Sequence, residues 1–258
     1  MNRIEALHSR GISCALYDDP INIRYLTGYT GEGSLLVLPD RAVIITDFRY
    51  IEQAQRQSPF CGVERTEGDR GANAIIAEAL ESAGIHDLPI EENIVTVSRL
   101  RAMEKALPGV HLTALPETVL EMRTVKDEGE LDCIRKALAI SCQAFDDLLS
   151  VIHAGMTEKR ACAELNHFMN LRGSEGNAFD TIVASGVNGS LPHAVPSDKV
   201  IEKGDLVTFD FGAKFGGYCA DMTRTIAIGE ISSELHAIYD AVLEAQLTSE
   251  AAVRPGAV

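Results

Sequence analysis

Gly204-Asp205-Leu206-Val207-Thr208-Phe209-Asp210-Phe211-Gly212 leads through Gly216-Gly217 into Tyr218-Cys219-Ala220-Asp221-Met222-Thr223-Arg224-Thr225. Two apolar segments around a glycine-rich connection read as a β-hairpin. Strand side chains alternate faces, so Leu206, Thr208 and Asp210 share one face while Val207, Phe209 and Phe211 share the other. A turn centred on Phe215-Gly216 places Asp210 directly across from Asp221, with Cβ atoms about 4.5–5.5 Å apart, and Thr208 across from Thr223. Aspartate is depleted from strands, so two of them among apolar neighbours call for a reason. Facing carboxylates repel, and more strongly once desolvated. Either one is protonated or a cation lies between them, and hard or borderline divalent ions suit such oxygen donors. The plainer alternative puts one Asp in the turn and leaves the other exposed.

Upstream of the hairpin, Leu131, Ile134, Leu138, Phe145, Leu148 and Ile152 recur at helical steps and predict one long helix from Lys126 to His153-Ala154-Gly155. Thr157 is the expected N-cap of a following helix that stops at Gly173. Residues 178–228 read as strand and loop, and a last helix starts near Ser232 with Leu235, Ile238, Val242 and Ala245 on one side. The first 115 residues instead alternate short strands and helices. Ser34–Leu38 and Ala42–Thr46 form an apolar hairpin, Asp47 is placed to cap a helix carrying Tyr50, Ile51 and Ala54, and helices are expected near 71–83 and 98–107. The boundary is expected around Leu115-Pro116, giving domains 1–120 and 121–258.

Composition narrows the partners. With 38 acidic against 23 basic residues the formal charge is −15, the opposite of the basic footprint that nucleic acid or an anionic membrane requires. No apolar run approaches the roughly 20 residues of a membrane span. The six cysteines include no C-x-x-C pair and predict reduced thiols in a cytoplasmic protein.

Beyond these physical readings, the chain resembles the creatinase/prolidase/aminopeptidase P family of "pita-bread" metallopeptidases. The similarity runs from Phe179-Asp180-Thr181-Ile182-Val183-Ala184-Ser185-Gly186 through Pro192-His193, Pro196-Ser197-Asp198, Gly204-Asp205 and Asp210-Phe211-Gly212. It continues to Gly217-Tyr218, Asp221 and Thr223-Arg224-Thr225. Thr46-Asp47, Arg49-Tyr50 and Glu52-Gln53-Ala54 resemble the N-terminal domain of the Xaa-Pro-cleaving members, which methionine aminopeptidases lack. The resemblance implies an α+β architecture: a small creatinase-N-like α/β domain followed by an incomplete pita-bread catalytic domain.

It also implies hydrolysis of the bond before a proline by two divalent ions (manganese, cobalt or zinc) and a bridging water. Such a pair lowers the pKa of its water and stabilises both attacking and leaving oxygens. Asp210 and Asp221 match the first two metal ligands, His193 the loop histidine near the scissile bond, and Thr223 a hydroxyl supporting the ligands. On the residues alone, the favoured reading of His193 is a loop histidine after Pro192 without a role. Arg224 reads as structural, and Asp180 and Asp205 as cap or turn residues.

The family pattern requires a further His and two Glu after the hairpin. Glu230, Glu234, His236, Asp240, Glu244 and Glu250 all fall before or within the last helix and match none of these. The expectation is therefore a C-terminally truncated and inactive polypeptide derived from a Xaa-Pro aminopeptidase, with Xaa-Pro dipeptidase (prolidase) as the alternative. Its partner would be a peptide with proline second, and the resemblance carries a homodimer. Retention of both aspartates argues against a non-catalytic binding module and against a metal-free creatinase-like hydrolase.

Overall fold

The computed structural model describes residues 2–257. Two compact units divide at Val125 and Lys126. The first contains α1 (Arg3–Ser9), β1 (Ala15–Tyr17), α2 (Pro20–Thr27), β2 (Ser34–Val37), β3 (Ala42–Thr46), α3 (Ile51–Gln57), β4 (Gly62–Arg65), α4 (Ala72–Ala83), β5 (Asp87–Ile90), α5 (Val97–Ala106), β6 (His111–Ala114) and α6 (Thr118–Thr124).

Its six strands form one mixed sheet in the order β4-β3-β2-β1-β5-β6. Strands β1 to β3 are antiparallel, and β4, β5 and β6 add in parallel. Every residue of β1, β2 and β3 is buried, because both sheet faces are covered. Ala15, Tyr17, Leu35, Val37 and Ile44 pack with Ile23 and Leu26 of α2, Ala54 of α3, and Val119 and Met122 of α6. Leu16, Leu36, Val43 and Ile45 pack on the opposite side with Ile75, Ile76 and Leu80 of α4 and Met103 of α5. Two-sided burial is what turns an alternating strand into a continuous apolar run. Val119 and Met122 also explain why α6 stays with this unit, so the division falls beyond residue 120.

Several local elements differ from the sequence reading. Asp47 does not cap α3; it accepts a hydrogen bond from the Arg49 backbone N–H and pairs with the Arg49 guanidinium, while the helix begins one residue after Tyr50. Asp18-Asp19-Pro20 both follows β1 and opens α2. Asp19 caps α2 by accepting from the Ile21 N–H, and Pro20 occupies the first turn, where its missing N–H costs nothing. Helices α1 and α2 and strand β4 were not expected.

The second unit holds α7 (Glu128–Leu149), α8 (Glu158–Leu171), β7 (Ile182–Ser185), a 3-10 turn at Gly186–Ser190, β8 (Leu206–Phe211), β9 (Lys214–Phe215), β10 (Tyr218–Cys219), β11 (Met222–Ala227) and α9 (Ser233–Ala252). A reciprocal capping box of Asp127 and Glu130 starts α7, and Thr157 caps α8 through the Arg160 N–H. Helix α7 stops at Leu149, before the Ile152 included in the expected stripe. Val207, Phe209 and Phe211 of β8 bury their side chains against Phe145 and Leu148 of α7 and Leu165 and Met169 of α8. The sheet order is β11-β8-β7.

Helix α9 starts next to Ser232 as expected, with the Ser232 hydroxyl accepting from the Leu235 N–H as its cap, but no residue of that helix is buried. Ile238 and Val242 are 52% and 64% exposed, and of the predicted apolar stripe only Leu235 is half-buried. No helix among them is long and apolar enough to cross a membrane.

Candidate metal-binding face of the hairpin

Two glycines set the geometry. Gly216 and Gly217 both have positive φ, 59° and 79°, the requirement for both central residues of a type I′ hairpin turn. The turn therefore pairs Phe215 with Tyr218 and Lys214 with Cys219. Glu175 fastens its tip, accepting from the Gly216 and Gly217 N–H groups at 3.0 Å each.

Centring on Gly216-Gly217 rather than Phe215-Gly216 corrects the expected register. Asp210 lies across from Thr223, and Thr208 from Thr225, the two hydroxyls 3.0 Å apart. Asp221 lies just outside β11 and is exposed. It is thus a diagonal neighbour of Asp210, a relation that spaces Cα atoms by about 7–8 Å. Longer reach does not uncouple them: the Asp221 charge still acts on Asp210.

Alternation in β8 is as read from the sequence, with Val207, Phe209 and Phe211 buried and Leu206, Thr208 and Asp210 half-buried. Asp210 meets opposing influences. Burial pushes its carboxyl above the ordinary aspartate value, and the charge of Asp221 adds to the rise. A hydrogen bond from Thr223 and the nearby His193 work in the other direction. Of the four expected residues, Asp221, Thr223 and His193 thus all act on the carboxyl of the fourth, Asp210. Asp210 Oδ1 is buried and has no hydrogen-bond partner. An unsatisfied buried carboxylate oxygen costs several kcal/mol by rough measure unless a cation or donor reaches it.

The donor chemistry is that of a hard-cation site, two carboxylates and a hydroxyl. It is also partial: among the described residues no group of three or more His, Cys, Asp or Glu could hold an ion. Asp205 stays outside the cluster, paired with Lys199 at 2.9 Å and accepting from the Glu202 N–H, and the Arg224 guanidinium donates to the Thr223 carbonyl.

Gly212 keeps the return strand in place. A Cβ there would lie 1.8 Å from the Ala220 carbonyl oxygen, and Ala220 donates to the Ala213 carbonyl at 2.9 Å. Gly212→Ala is therefore expected to destabilise the protein by about 1–3 kcal/mol through forced overpacking, and to move Asp221 away from Asp210. Chemical denaturation reads the first effect and the Asp210 side-chain titration the second; a silent substitution would mean the strands can spread freely.

One residue of this neighbourhood was not singled out from the sequence. Glu158 opens α8, where an acid reads as an ordinary complement to the helix dipole. Nothing in its spacing signals that it is fully buried, 0% exposed, and bound to the loop that carries His193.

Residues 132–258 match Metallopeptidase family M24, and residues 2–125 match the Creatinase/Prolidase N-terminal domain. The chain is 40% identical to the uncharacterized peptidase YqhT of Bacillus subtilis over 95% of its own length and 69% of the relative's. The chain belongs to metallopeptidase family M24. Another M24-type relative, the Xaa-Pro dipeptidase of Pyrococcus horikoshii, is 31% identical over 98% of this chain and 70% of its own.

Among solved structures, the Xaa-Pro dipeptidase from Bacillus anthracis superposes with a TM-score of 0.88 at 38% identity, covering 95% of this chain and 69% of that one. The X-Pro aminopeptidase from Thermotoga maritima superposes at 0.86 with 37% identity, covering 92% and 69%. The chain thus spans roughly 70% of these relatives' length. Its α+β architecture, with the N-terminal domain and part of the M24 domain, is that of the prolidase structures.

Proposed function

We propose that this chain supplies the substrate-facing loop and the first two carboxylate ligands of an enzyme that hydrolyses Xaa-Pro dipeptides. The carrying observation is the buried, partnerless Asp210 Oδ1 beside Asp221 and His193. Asp210 and Asp221 would hold divalent metal, with manganese, cobalt or zinc as candidates. Bound there, the metal supplies a water activated for attack and a Lewis acid for the leaving group. Thr223 orients the Asp210 carboxylate by hydrogen bonding, and His193 offers an imidazole to the substrate from the facing loop.

The choice of dipeptide reverses the order expected from the sequence, in which the aminopeptidase reading came first. Relatives named Xaa-Pro dipeptidase, among them the P. horikoshii and B. anthracis proteins, support it. Aminopeptidase activity stays as the second reading, on the strength of the T. maritima structure. With only a partial ligand set among the described residues, the chain by itself is expected to bind metal weakly and turn over little, since affinity follows the full donor set.

The test compares Ala-Pro with Ala-Pro-Ala as substrates in added Mn2+. It uses the chain alone and the chain joined to the portion of the B. anthracis dipeptidase outside the match. Background turnover by the chain alone, with dipeptide cleavage by the joined protein that Asp221→Asn abolishes, is the expected result. Preference for the tripeptide would favour the aminopeptidase reading, and turnover indifferent to chelator would overturn the metallopeptidase assignment.

A further inference from the structure

Glu158 is a buried carboxylate that the proposed chemistry does not use. Its Oε1 accepts from the Ser185 N–H at 2.7 Å, the Ser185 hydroxyl at 2.9 Å and the Asn188 amide at 3.0 Å. Its Oε2 accepts from the same amide at 3.1 Å, the Ser197 N–H at 3.1 Å and the Ser197 hydroxyl at 2.6 Å. These donors come from the two ends of one loop. Ser185 closes β7 and Asn188 lies in the 3-10 turn that follows, whereas Ser197 stands on the far side of His193.

The helix that carries Glu158 completes the attachment. The Glu158 and Lys159 N–H groups, which the first turn of any helix leaves without intrahelical acceptors, donate to the Lys199 and Ser197 carbonyls at 3.0 and 3.1 Å. Lys199 ties back to the Ser185 hydroxyl and to Asp205, 2.9 Å from each. Burial works to raise the Glu158 carboxyl, but the hydrogen bonds from Ser197, Ser185 and Asn188 outweigh it and hold the group below the ordinary glutamate value. A charge kept in the interior by six donor contacts is conformationally demanding, because releasing either loop end leaves it underpaired.

Between these ends the 3-10 turn packs on β7 and β8, and the hydrogen bonds around His193 stay within the loop. Leu191 and Ala194 donate to the Asn188 and Leu191 carbonyls, Ala194 is buried, and Leu191, Pro192, His193 and Val195 are exposed. From this arrangement we infer that Glu158 is the positioning residue for His193: by clamping both ends of residues 186–196 it sets where the imidazole stands relative to Asp210. The inference rests on the reading of Asp210 and Asp221 as the metal-binding face, and the experiment separates the two.

Paramagnetic broadening by Mn2+ alone measures how near the His193 ring stands to the bound ion, with the resonance assigned by its loss in His193→Gln. In the parent the His193 signal is expected to broaden at substoichiometric Mn2+. In Asn188→Ala, and in Glu158→Ala if it folds, that broadening should be lost while Mn2+ affinity read by electron paramagnetic resonance is retained. Glu158→Gln, which keeps one acceptor oxygen, should restore part of it. A merely structural role would lower thermal stability and leave the His193 broadening of the folded protein as in the parent, and that result overturns the proposal.

Amide hydrogen exchange over residues 186–196 in metal-free protein reads the clamp without the ion. Faster exchange confined to this loop in Asn188→Ala supports it, and unchanged protection overturns it. Loop-confined faster exchange together with no Mn2+ broadening in the parent upholds the clamp and strikes the metal reading instead.

Discussion

Asp210→Asn is expected to abolish the rise in thermal midpoint that Mn2+ produces in the parent protein, and to raise the midpoint of the metal-free protein at neutral pH. A ligand that binds only the folded state stabilises by about 2.7 kcal/mol at 100 times its Kd, and the substitution removes the carboxylate on which that binding depends. The metal-free gain has a separate source. The carboxyl of Asp210 sits above its ordinary value of 3.8, first through burial and then through the charge of Asp221. An acid whose folded pKa is raised binds its proton more readily in the native state than in the unfolded chain. Its contribution to stability is then fully present below the unfolded pKa and lost as pH rises through the folded one. Asparagine carries no such penalty, so that limb of the stability profile should flatten and the variant should be the more stable of the two at neutral pH. Differential scanning calorimetry across pH, with and without Mn2+, measures both effects. A full Mn2+ response in Asp210→Asn would remove this residue from the metal-binding face.

The second large effect lies one residue back and on the other side of the strand. Phe209→Ala should cost about 3–5 kcal/mol, the usual range for emptying a packed aromatic site, against a total stability of roughly 5–15 kcal/mol for a domain. Phe209 is fully buried. Its ring meets Phe145 of α7 edge-on at 5.5 Å, while Phe211 stacks on the same ring at 5.4 Å. The three rings join β8 to the long helix, so the strand that presents Asp210 is held from behind by aromatic packing. Urea unfolding should show a lower midpoint with an unchanged slope, since the surface exposed on unfolding is nearly the same. A loss below about 1 kcal/mol would mean the neighbouring side chains collapse into the space, the mechanism by which cavity costs vary.

These two residues show how the information divides. Which face of β8 each side chain takes follows from alternation alone, and the apolar Val207, Phe209 and Phe211 set leaves Asp210 no choice but the other side. The capping of α8 by Thr157, the start of α9 near Ser232, the Ser34–Thr46 hairpin and the mixed α/β character of the first unit were equally legible, because each depends on neighbours within a few residues. Asp47 shows the limit of such local signals: a good N-cap residue in a good position was taken by the guanidinium of Arg49 instead.

Register was the first thing local pattern left open. Any turn centre within Phe215-Gly216-Gly217 preserves the alternation, and only the positive φ of both glycines selects the pairing that sets Asp210 against Thr223 and leaves Asp221 diagonal. The role of Glu158 was the second. A glutamate after an N-cap is ordinary, and its partners at Ser185, Asn188 and Ser197 stand 27 to 39 residues away.

The chain's own sequence therefore determined the residue types and the faces of the hairpin, since side-chain period and helix capping are short-range. Tertiary structure alone decided how far apart the two aspartates lie, that an oxygen of Asp210 goes without a partner, and what anchors the His193 loop. Each of those depends on distant segments being brought into van der Waals contact, which no local pattern encodes.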